Sequence, residues 1–442
     1  MADTAPAPSA DFAADTAAFG RYWAAQRAAL ARLSRKPARS PAESADAAAI
    51  HAGARAARRA FLGAHAGTLY EELTDGRRQF RRLEELVPAA AALCPGLVPD
   101  AGELAAEAGL LQGAKEGWEI DQGLLVAAWL AEDRAGPHLC HAMLLPRAET
   151  PALLARLAAE GSVDLGAAHV ARQGRASVVE LRNPAALNAE DDTTLDAAEI
   201  AVDLATLDPA TEICVLRGGA VTHPRHAGRR ILGAGINLTH LHAGRIPYLW
   251  FPRRELGLVH KLYRGVATPD ALPDDVQATA REKLWIAALE TFAIGGHCQM
   301  LLAVDYVLAE ADAYMTLPAR KEGIIPGLAN LRLPRFVGDR IARQAIQYER
   351  RLDCDSAAGR MICDEVVPPG TMDAALAQAV EGLTGAGPVS AVGNRRGLRL
   401  AQEPLELFRR YVALYAREQA ECHFSPALIA NLERHWLARP RG

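Results

Sequence analysis

The spacing of apolar residues divides the chain into regions. In the first 160 residues, apolar side chains recur at three- and four-residue intervals, as in Phe19, Tyr22 and Trp23. This spacing is typical of amphipathic helices, and the abundance of Ala, Leu, Glu and Arg favours them. Long helices are predicted over residues 41–73, 75–93 and 103–130. Their expected role is packing or assembly, or alternatively covering an active site.

The pattern changes after Gly161. Alternating runs at 169–172 and 176–181 flank a turn at Gly174 and predict a β-hairpin. Beyond it, apolar strands alternate with helical segments, which is typical of a largely parallel sheet covered by helices. Residues 338–435 again have helical spacing. We therefore predict an α/β protein with three parts: a helical N-terminal domain (1–160), a core (161–385) and a C-terminal helical region (386–442).

Composition and charge narrow the class of protein. A net charge of −4 and a pI near 6.4 give no electrostatic reason to expect nucleic-acid binding. Neither a signal peptide nor an apolar run of 18 residues is evident, so we expect neither secretion nor a membrane span. The seven cysteines have no CxxC spacing, which predicts a reduced, cytoplasmic protein without a cysteine-based metal site. Residues 269–275, with two prolines and three aspartates, are predicted to be an insertion.

Two glycine-bearing turns are candidates for chemistry. Gly295 and Gly296 lie between a strand-like run at 284–288 and a helix-like run at 300–304, and a second turn occupies 233–238. Backbone N–H groups at a helix N-terminus lack intrahelical partners, and glycine lets a ligand oxygen approach them closely. The Gly295-Gly296 stretch alone predicts an oxyanion hole or an ordinary strand-to-helix turn equally well.

Several segments together resemble the crotonase (enoyl-CoA hydratase/isomerase) family. The resemblance covers about residues 165–385 and implies a crotonase fold of stacked ββα turns, acyl-CoA thioester substrates and assembly as a homotrimer or hexamer. The similar segments are 183–189 (family RPxxxNAL), 233–238 (FSAGADL), 293–300 (ALGGGCEL), and Asp305 with the short strand before Pro318 and Pro326-Gly327.

By this resemblance, the oxyanion hole consists of the backbone N–H groups of Ile236 and Gly296. Two such donors stabilise an enolate more than the ground-state thioester, which lowers the barrier to forming it. The family's two catalytic glutamates are replaced by Gln299 and Ala319. Glutamine cannot act as a carboxylate base and alanine exchanges no proton, so ordinary hydration is disfavoured. The sequence does not identify a general base.

These replacements, with the long helical extension, make the chain similar to the cofactor-independent dioxygenases of glycopeptide-antibiotic biosynthesis within that family. The similarity implies oxidation of (3,5-dihydroxyphenyl)acetyl-CoA by O2 to 3,5-dihydroxyphenylglyoxylate and CoA, without metal or flavin. The alternatives are a hydratase, isomerase or thioesterase of the same family, an inactive homologue, and a non-catalytic acyl-CoA-binding scaffold.

Glu190, Arg254 and Gln299 are the candidates for holding the aryl hydroxyls and orienting the acyl group, because buried polar groups discriminate strongly against analogues that lack a hydroxyl. Each also has a structural interpretation: a helix N-terminus, a surface ion pair and a turn cap, respectively. An apolar pocket that admits O2 and offers water few partners is also expected. Its predicted lining is Leu238, Ala319, Ile324 and Ile325.

A basic segment is the candidate for binding the CoA phosphates, because guanidinium groups match phosphate geometry. The predicted residues of this segment are His223, Arg225 and His226, with Arg229 and Arg230 close by, and Ala186 of the 183–189 segment is a further candidate for contacting CoA. The alternative is a solvated basic loop. The two histidines could suggest a metal pair, but no third ligand joins them at regular spacing, so we predict no metal site.

Overall fold

The computed structural model describes residues 4–270 and 280–437. Most of the predicted insertion at 269–275 lies outside the described residues. Among the helices that the structure does describe, none is long and apolar enough to cross a membrane.

The first 160 residues fold into helices, as predicted. Helix 41–73 is confirmed to the residue: Ser40 and Glu43 form a capping box at its start. The helices of this region are α1 (Phe12–Leu30), α2 (Pro41–Leu73), α3 (Leu83–Leu93), α4 (Ala101–Glu107), α5 (Ile120–Ala131), α6 (Ala135–Leu144) and α7 (Thr150–Glu160).

Two of the predicted helices are too long. The segment predicted as 75–93 becomes helical only at Leu83, because Asp75 and Arg77 have φ angles of 53° and 66°, which a right-handed helix cannot contain. The segment predicted as 103–130 is broken between α4 and α5, where Gly109 and Gly117 have φ angles of 82° and 93°. The spacing of apolar residues does not indicate where a residue adopts a positive φ angle and ends a helix.

The central sheet has seven strands in the order β1-β2-β3-β4-β5-β7-β10. The β2–β3 hairpin is antiparallel, as predicted, and the pairs from β3 to β10 are parallel. A second sheet has the order β6-β8-β9. The strands are β1 (Ser162–Asp164), β2 (Ala168–Gln173), β3 (Ala176–Leu181), β4 (Ile213–Gly218), β5 (Leu284–Leu289), β6 (Phe292–Ile294), β7 (Tyr306–Glu310), β8 (Tyr314–Thr316), β9 (Leu352–Asp353) and β10 (Glu365–Val367).

Helices alternate with these strands and then continue to the C-terminal end of the described chain. The prediction of helices over 338–435, with a break at 368–370, was wrong in part, because β9 and β10 lie within this range and extend the two sheets. A π-helical segment, Arg254–Val259, joins α10 to α11. The helices are α8 (Leu195–Leu207), α9 (Leu238–His242), α10 (Trp250–Arg253), α11 (His260–Arg264), α12 (Gly296–Leu301), α13 (Ala319–Glu322), α14 (Ala329–Tyr348), α15 (Met372–Thr384), α16 (Pro388–Gln402), α17 (Leu405–His423) and α18 (Pro426–Leu432).

Helix α17 packs along α5 of the N-terminal region. Gly123 permits this close approach, since an added Cβ would lie only 2.4 Å from the Ala420 side chain. The Tyr248 hydroxyl donates to the Ala416 carbonyl at 2.7 Å and ties the core to the same helix. One continuous buried cluster therefore includes the N-terminal helices, the central sheet and α17.

Candidate active site

The two predicted glycine turns lie against each other. Gly235 and Gly295 both have positive φ angles, 78° and 55°, which glycine adopts without strain. A Cβ added to Gly295 would lie 3.4 Å from the Gly235 Cα, and the Ile294 N–H donates to the Gly233 carbonyl at 3.0 Å. This contact places the residues that follow each turn, Ile236 and Gly296, side by side.

The backbone N–H groups of Ile236 and Gly296 are hydrogen-bond donors that these two turns do not pair. Their neighbours are occupied: the Asn237 N–H donates to the Glu190 carbonyl at 2.7 Å, and the Gly295 N–H to the Thr316 carbonyl at 2.9 Å. Neither the Ile236 nor the Gly296 N–H donates to an acceptor in the described parts of the chain. Because Gly296 is the first residue of α12, its free N–H also lies at the positive end of the helix. The pair has the arrangement of an oxyanion hole.

His297 supports this arrangement from behind and was not predicted. Its Nδ1 accepts a hydrogen bond from the Gly235 N–H at 3.2 Å. Burial lowers the pKa of His297 to about 4, so the ring is neutral at pH 7 and can accept this bond. A Cβ on Gly233 would lie 2.1 Å from the ring, which explains the glycine there.

A cavity opens beside the oxyanion hole. Glu190, Arg254, Gln299, Ala319, Ile324 and Ile325, which the sequence nominated, all line it. Its other lining residues are Ile236, Trp250, Phe251, Glu255, Gly295, Gly296, Glu322, Pro326, Gly327 and Tyr415.

Arg254 is the centre of the cavity's polar cluster, which consists of Glu190, Arg254, Glu255 and Gln299. The residue is only 2% exposed, and its guanidinium donates to four groups. Nε reaches Glu190 Oε1 at 2.7 Å, and Nη1 reaches Glu255 Oε1 at 2.7 Å and Gln299 Oε1 at 3.1 Å. Nη2 reaches the Gly296 carbonyl at 2.7 Å. The structural interpretation of Arg254 as half of a surface ion pair is therefore wrong, and its position is fixed relative to the oxyanion hole.

Glu255 is the member of this cluster that sequence reasoning missed. Burial raises its pKa, and the opposing attraction of Arg254 does not cancel that effect. For Arg254, burial would lower the pKa, but Glu190 and Glu255 outweigh it and raise it. One oxygen of each carboxylate, Glu190 Oε2 and Glu255 Oε2, is buried without a hydrogen-bond partner in the described residues. The sequence signal for this residue was a pair of adjacent charges directly before the apolar stretch 256–259. In the structure the pair begins a π-helical segment, a feature that often marks functional sites.

The apolar cluster of the cavity consists of Trp250, Phe251, Ala319, Ile324 and Ile325. Leu238, predicted to belong here, does not line the cavity. It begins α9 and packs, partly buried, against the main core. The cause is Asn237, whose side chain accepts from the Thr239 and His240 N–H groups and turns the chain into α9.

Glu322 also lines the cavity, on the same short helix as Ala319. Burial and the nearby Glu349 raise the pKa of Glu322 to about 7. It is the one unpredicted acid of the cavity lining besides Glu255.

Helix α17 holds one edge of the cavity in place. The Tyr411 hydroxyl donates to the Gly327 carbonyl, and the Ile325 N–H donates to Gln419 Oε1 at 2.9 Å. Tyr415, from the same helix, lines the cavity. The C-terminal region thus contributes directly to the candidate site, which the sequence pattern did not indicate.

The segments nominated for CoA binding are also neighbours. The Thr222 N–H donates to the Pro184 carbonyl at 3.0 Å, which brings the turn at His223–His226 next to the one that contains Ala186. The ring of His226 packs against Phe292, with centroids 5.6 Å apart. A role for Ala186, His223, Arg225 and His226 in binding CoA stays a prediction.

One group of potential metal ligands occurs in residues 4–270 and 280–437: Asp191, Asp192 and His240. None of the three lines the cavity. Asp191 already accepts hydrogen bonds from Asn183, Thr193 and Asn237. Its carboxylate therefore has a structural role at the start of α8.

Comparison with known proteins identifies the family. The (3,5-dihydroxyphenyl)acetyl-CoA 1,2-dioxygenase of Amycolatopsis orientalis is 49% identical over 368 residues, 83% of each chain. The profile of the enoyl-CoA hydratase/isomerase family matches residues 270–398. The chain belongs to the enoyl-CoA hydratase/isomerase family. The crotonyl-CoA hydratase of Syntrophomonas wolfei subsp. wolfei is 28% identical over 200 residues, 45% of this chain and 68% of the hydratase.

Solved structures confirm the predicted crotonase fold. An enoyl-CoA hydratase/isomerase from Xanthobacter autotrophicus Py2 superposes with a TM-score of 0.50 and 22% identity, over 61% of this chain and 94% of the other. Gln299 and Ala319 stand at the positions where the resemblance to this family predicts the two catalytic glutamates. Both replacements line the cavity.

Proposed function

We propose that this protein is a dioxygenase that converts (3,5-dihydroxyphenyl)acetyl-CoA and O2 to 3,5-dihydroxyphenylglyoxylate and CoA. The observation that carries the proposal is one cavity in which an oxyanion hole meets both a polar and an apolar cluster. The 49% identity over most of the chain to a dioxygenase of that name supports the choice of reaction.

The oxyanion hole supports the first half of the chemistry. The thioester oxygen binds between the Ile236 and Gly296 N–H groups, where negative charge develops as the Cα proton leaves. A ring and a carbonyl both acidify that proton, and the resulting enolate is electron-rich enough to react with O2 directly.

The apolar cluster supports the second half. Ala319, Ile324 and Ile325 offer water few hydrogen-bonding partners, whereas O2 needs none. O2 takes two electrons from the enolate and forms a Cα–O bond, and the terminal peroxide oxygen attacks the thioester carbonyl. Breaking the C–S bond releases CoA, and breaking the O–O bond with loss of the second Cα proton leaves the α-keto acid. Both oxygen atoms of one O2 enter the product.

The polar cluster supports recognition of a hydroxylated ring. Arg254 fixes the carboxylates of Glu190 and Glu255 while leaving one acceptor oxygen on each free of described partners. Buried acceptors of this kind favour a substrate with donors and penalise an analogue without them.

We also propose that the reaction uses neither metal nor flavin. Arg254 pairs with two of the three carboxylates that line the cavity, and the lining formed by the described residues contains no histidine or cysteine. This donor set suits a cation poorly. Assembly as a trimer or hexamer stays a prediction, which light scattering of the purified protein would test.

The test is O2 uptake by purified, chelator-treated protein supplied with (3,5-dihydroxyphenyl)acetyl-CoA. We expect one O2 consumed per CoA released, at a rate that added iron does not raise. Hydration or thioester hydrolysis without O2 uptake would identify one of the alternative activities. Uptake that is abolished by the chelator and restored by iron would contradict the cofactor-free reaction.

A further inference from the structure

We propose that Glu190 is the catalytic base that removes the first Cα proton of the acyl-CoA substrate. The proposal rests on the enolate chemistry of the proposed function and supplies the base that the replacements Gln299 and Ala319 leave missing. It assigns the free oxygen of Glu190 to the Cα proton, and contact with a ring hydroxyl then falls to Glu255 Oε2, the other carboxylate oxygen without a described partner.

The position of Glu190 relative to the oxyanion hole is the first argument. A Cβ added to Gly296 would lie 2.0 Å from Glu190 Oε2, so this oxygen lies directly over the Gly296 backbone. A thioester oxygen bound to the Gly296 N–H has its Cα only two bonds away. Among the carboxylates of the cavity, Glu190 is the one found against the oxyanion glycines.

The second argument is that Glu190 and the oxyanion hole form one rigid unit. The Glu190 N–H donates to the Gly235 carbonyl, and the Glu190 carbonyl accepts from the Asn237 N–H, both at 2.7 Å. These two bonds bracket Ile236, whose N–H is the other half of the hole. Base and oxyanion donors therefore keep a fixed mutual geometry, as proton abstraction requires.

The third argument is that one oxygen of the Glu190 carboxyl group is held and the other is free. Arg254 Nε fixes Oε1 at 2.7 Å, while Oε2 has no hydrogen-bond partner within the described chain. Burial favours the protonated form of the neighbouring Glu255 because it raises that pKa. An oxygen with no hydrogen-bond partner, on a side chain fixed through its other oxygen, is placed to accept the Cα proton.

The sequence is consistent with a base at position 190 in place of the family's glutamate at the position of Gln299. In the family motif RPxxxNAL, the position aligned with Glu190 is leucine. This chain has an acid at 190 and an amide at 299, so the resemblance places its carboxylate on the other side of the oxyanion hole from the family's. A buried glutamate at a leucine position needs a compensating partner, and Arg254 provides it.

The proposed step is balanced. The Cα–H bond breaks and its proton moves to Glu190 Oε2. The electron pair forms the C=C bond of the enolate, and the carbonyl π pair moves to the oxygen held by the Ile236 and Gly296 N–H groups. No oxidant takes part, and the departing CoA thiolate can later take up the proton.

Because this step precedes O2, it can be tested without O2. We would incubate the protein anaerobically in D2O with (3,5-dihydroxyphenyl)acetyl-CoA and follow deuterium entry at Cα by NMR. Wild-type protein should exchange the Cα protons. Glu190→Gln should slow exchange by about 10²–10⁴-fold, the usual contribution of a general base, and Glu190→Asp should recover part of the rate.

Two comparisons distinguish a catalytic base at Glu190 from a residue with only a structural role: binding against exchange in one variant, and the same exchange rate across variants of the three cavity acids. Glutamine keeps the oxygen that accepts from Arg254, so the thioester Kd of Glu190→Gln should stay within about threefold of wild type while the exchange rate collapses. Glu255→Gln and Glu322→Gln remove the other cavity acids. Exchange that survives in Glu190→Gln, or is lost equally in Glu322→Gln, would overturn the assignment, as would wild-type protein that shows no exchange.

The outcome is distinguishable from that of the proposed function. Wild-type protein that exchanges Cα protons but never consumes O2 would contradict the dioxygenase and leave the base assignment standing. A Glu190→Gln variant that consumes O2 at the wild-type rate would contradict the base assignment and leave the dioxygenase proposal standing.

Discussion

Arg254 and Ala319 line the same cavity but belong to clusters held together in opposite ways. The polar cluster buries a guanidinium and two carboxyl groups, an arrangement that well-packed hydrophobic residues would often match or exceed in stability. The apolar cluster buries hydrocarbon, which stabilises any core. The comparison indicates that the polar cluster is kept for substrate chemistry, whereas the apolar cluster serves stability and gas binding together.

The largest expected effect comes from removing the cation of the polar cluster. Arg254→Met leaves Glu190 and Glu255 buried without a counter-charge, so we expect a loss of about 3–5 kcal/mol in the free energy of unfolding and loss of O2 uptake. Arg253→Met is the matched control. It breaks partly exposed pairs with Asp196 and Glu84, which together are expected to cost about 1 kcal/mol. Equal losses in urea unfolding of the two variants would remove the distinction between clusters.

Glu322, the acid beside the apolar cluster, should make stability depend on pH. Its folded pKa of about 7 lies above the ordinary 4.5, so the folded state binds the extra proton and stability falls as pH rises from 4.5 to 7. Allowing for its partial exposure, we expect Glu322→Gln to remove about 2 kcal/mol of that fall. Glu349→Gln, which removes the like charge, should remove a smaller part. Parallel pH profiles of wild type and Glu322→Gln would contradict this.

Placing a carboxylate in the apolar cluster should impair the use of O2. Ala319→Glu fills the space and draws in water, so we expect O2-dependent turnover to fall about tenfold or more, equivalent to about 1.4 kcal/mol. Ala319→Gln is the control of equal size without charge, and a smaller loss there would separate hydration from volume. Unchanged O2 kinetics in Ala319→Glu would show that O2 binds elsewhere.

The smallest effect concerns the edge that α17 holds. Tyr411→Phe leaves the Gly327 carbonyl without its donor, which should cost about 1 kcal/mol in stability and raise the KM for O2 modestly. Tyr348→Phe alters a tyrosine that is 77% exposed and should change neither quantity. A KM for O2 identical to wild type in Tyr411→Phe would mean that α17 does not position the pocket.

Sequence reasoning succeeded where motif and chemistry coincide. Ile236 and Gly296, predicted from two glycine turns, lie in the same cavity as Glu190, Arg254 and Gln299. It failed where the outcome depended on backbone detail, as at Asp75 and at Leu238.

The remaining misses needed three-dimensional contacts. Glu255 follows Arg254 directly, yet only the π-helical turn brings both side chains to the cavity. Tyr415 lies about ninety residues from Ile325 and reaches the site only because α5 supports α17. No periodic pattern encodes a contact of that kind.

The most direct test of the account is a rapid-quench turnover under ¹⁸O2 with (3,5-dihydroxyphenyl)acetyl-CoA in ordinary water. We predict a glyoxylate product that carries two ¹⁸O atoms, formed in equal amount with free CoA. A product with one or no ¹⁸O atom, its remaining oxygen drawn from water, would contradict attack of an enolate-derived peroxide on the thioester.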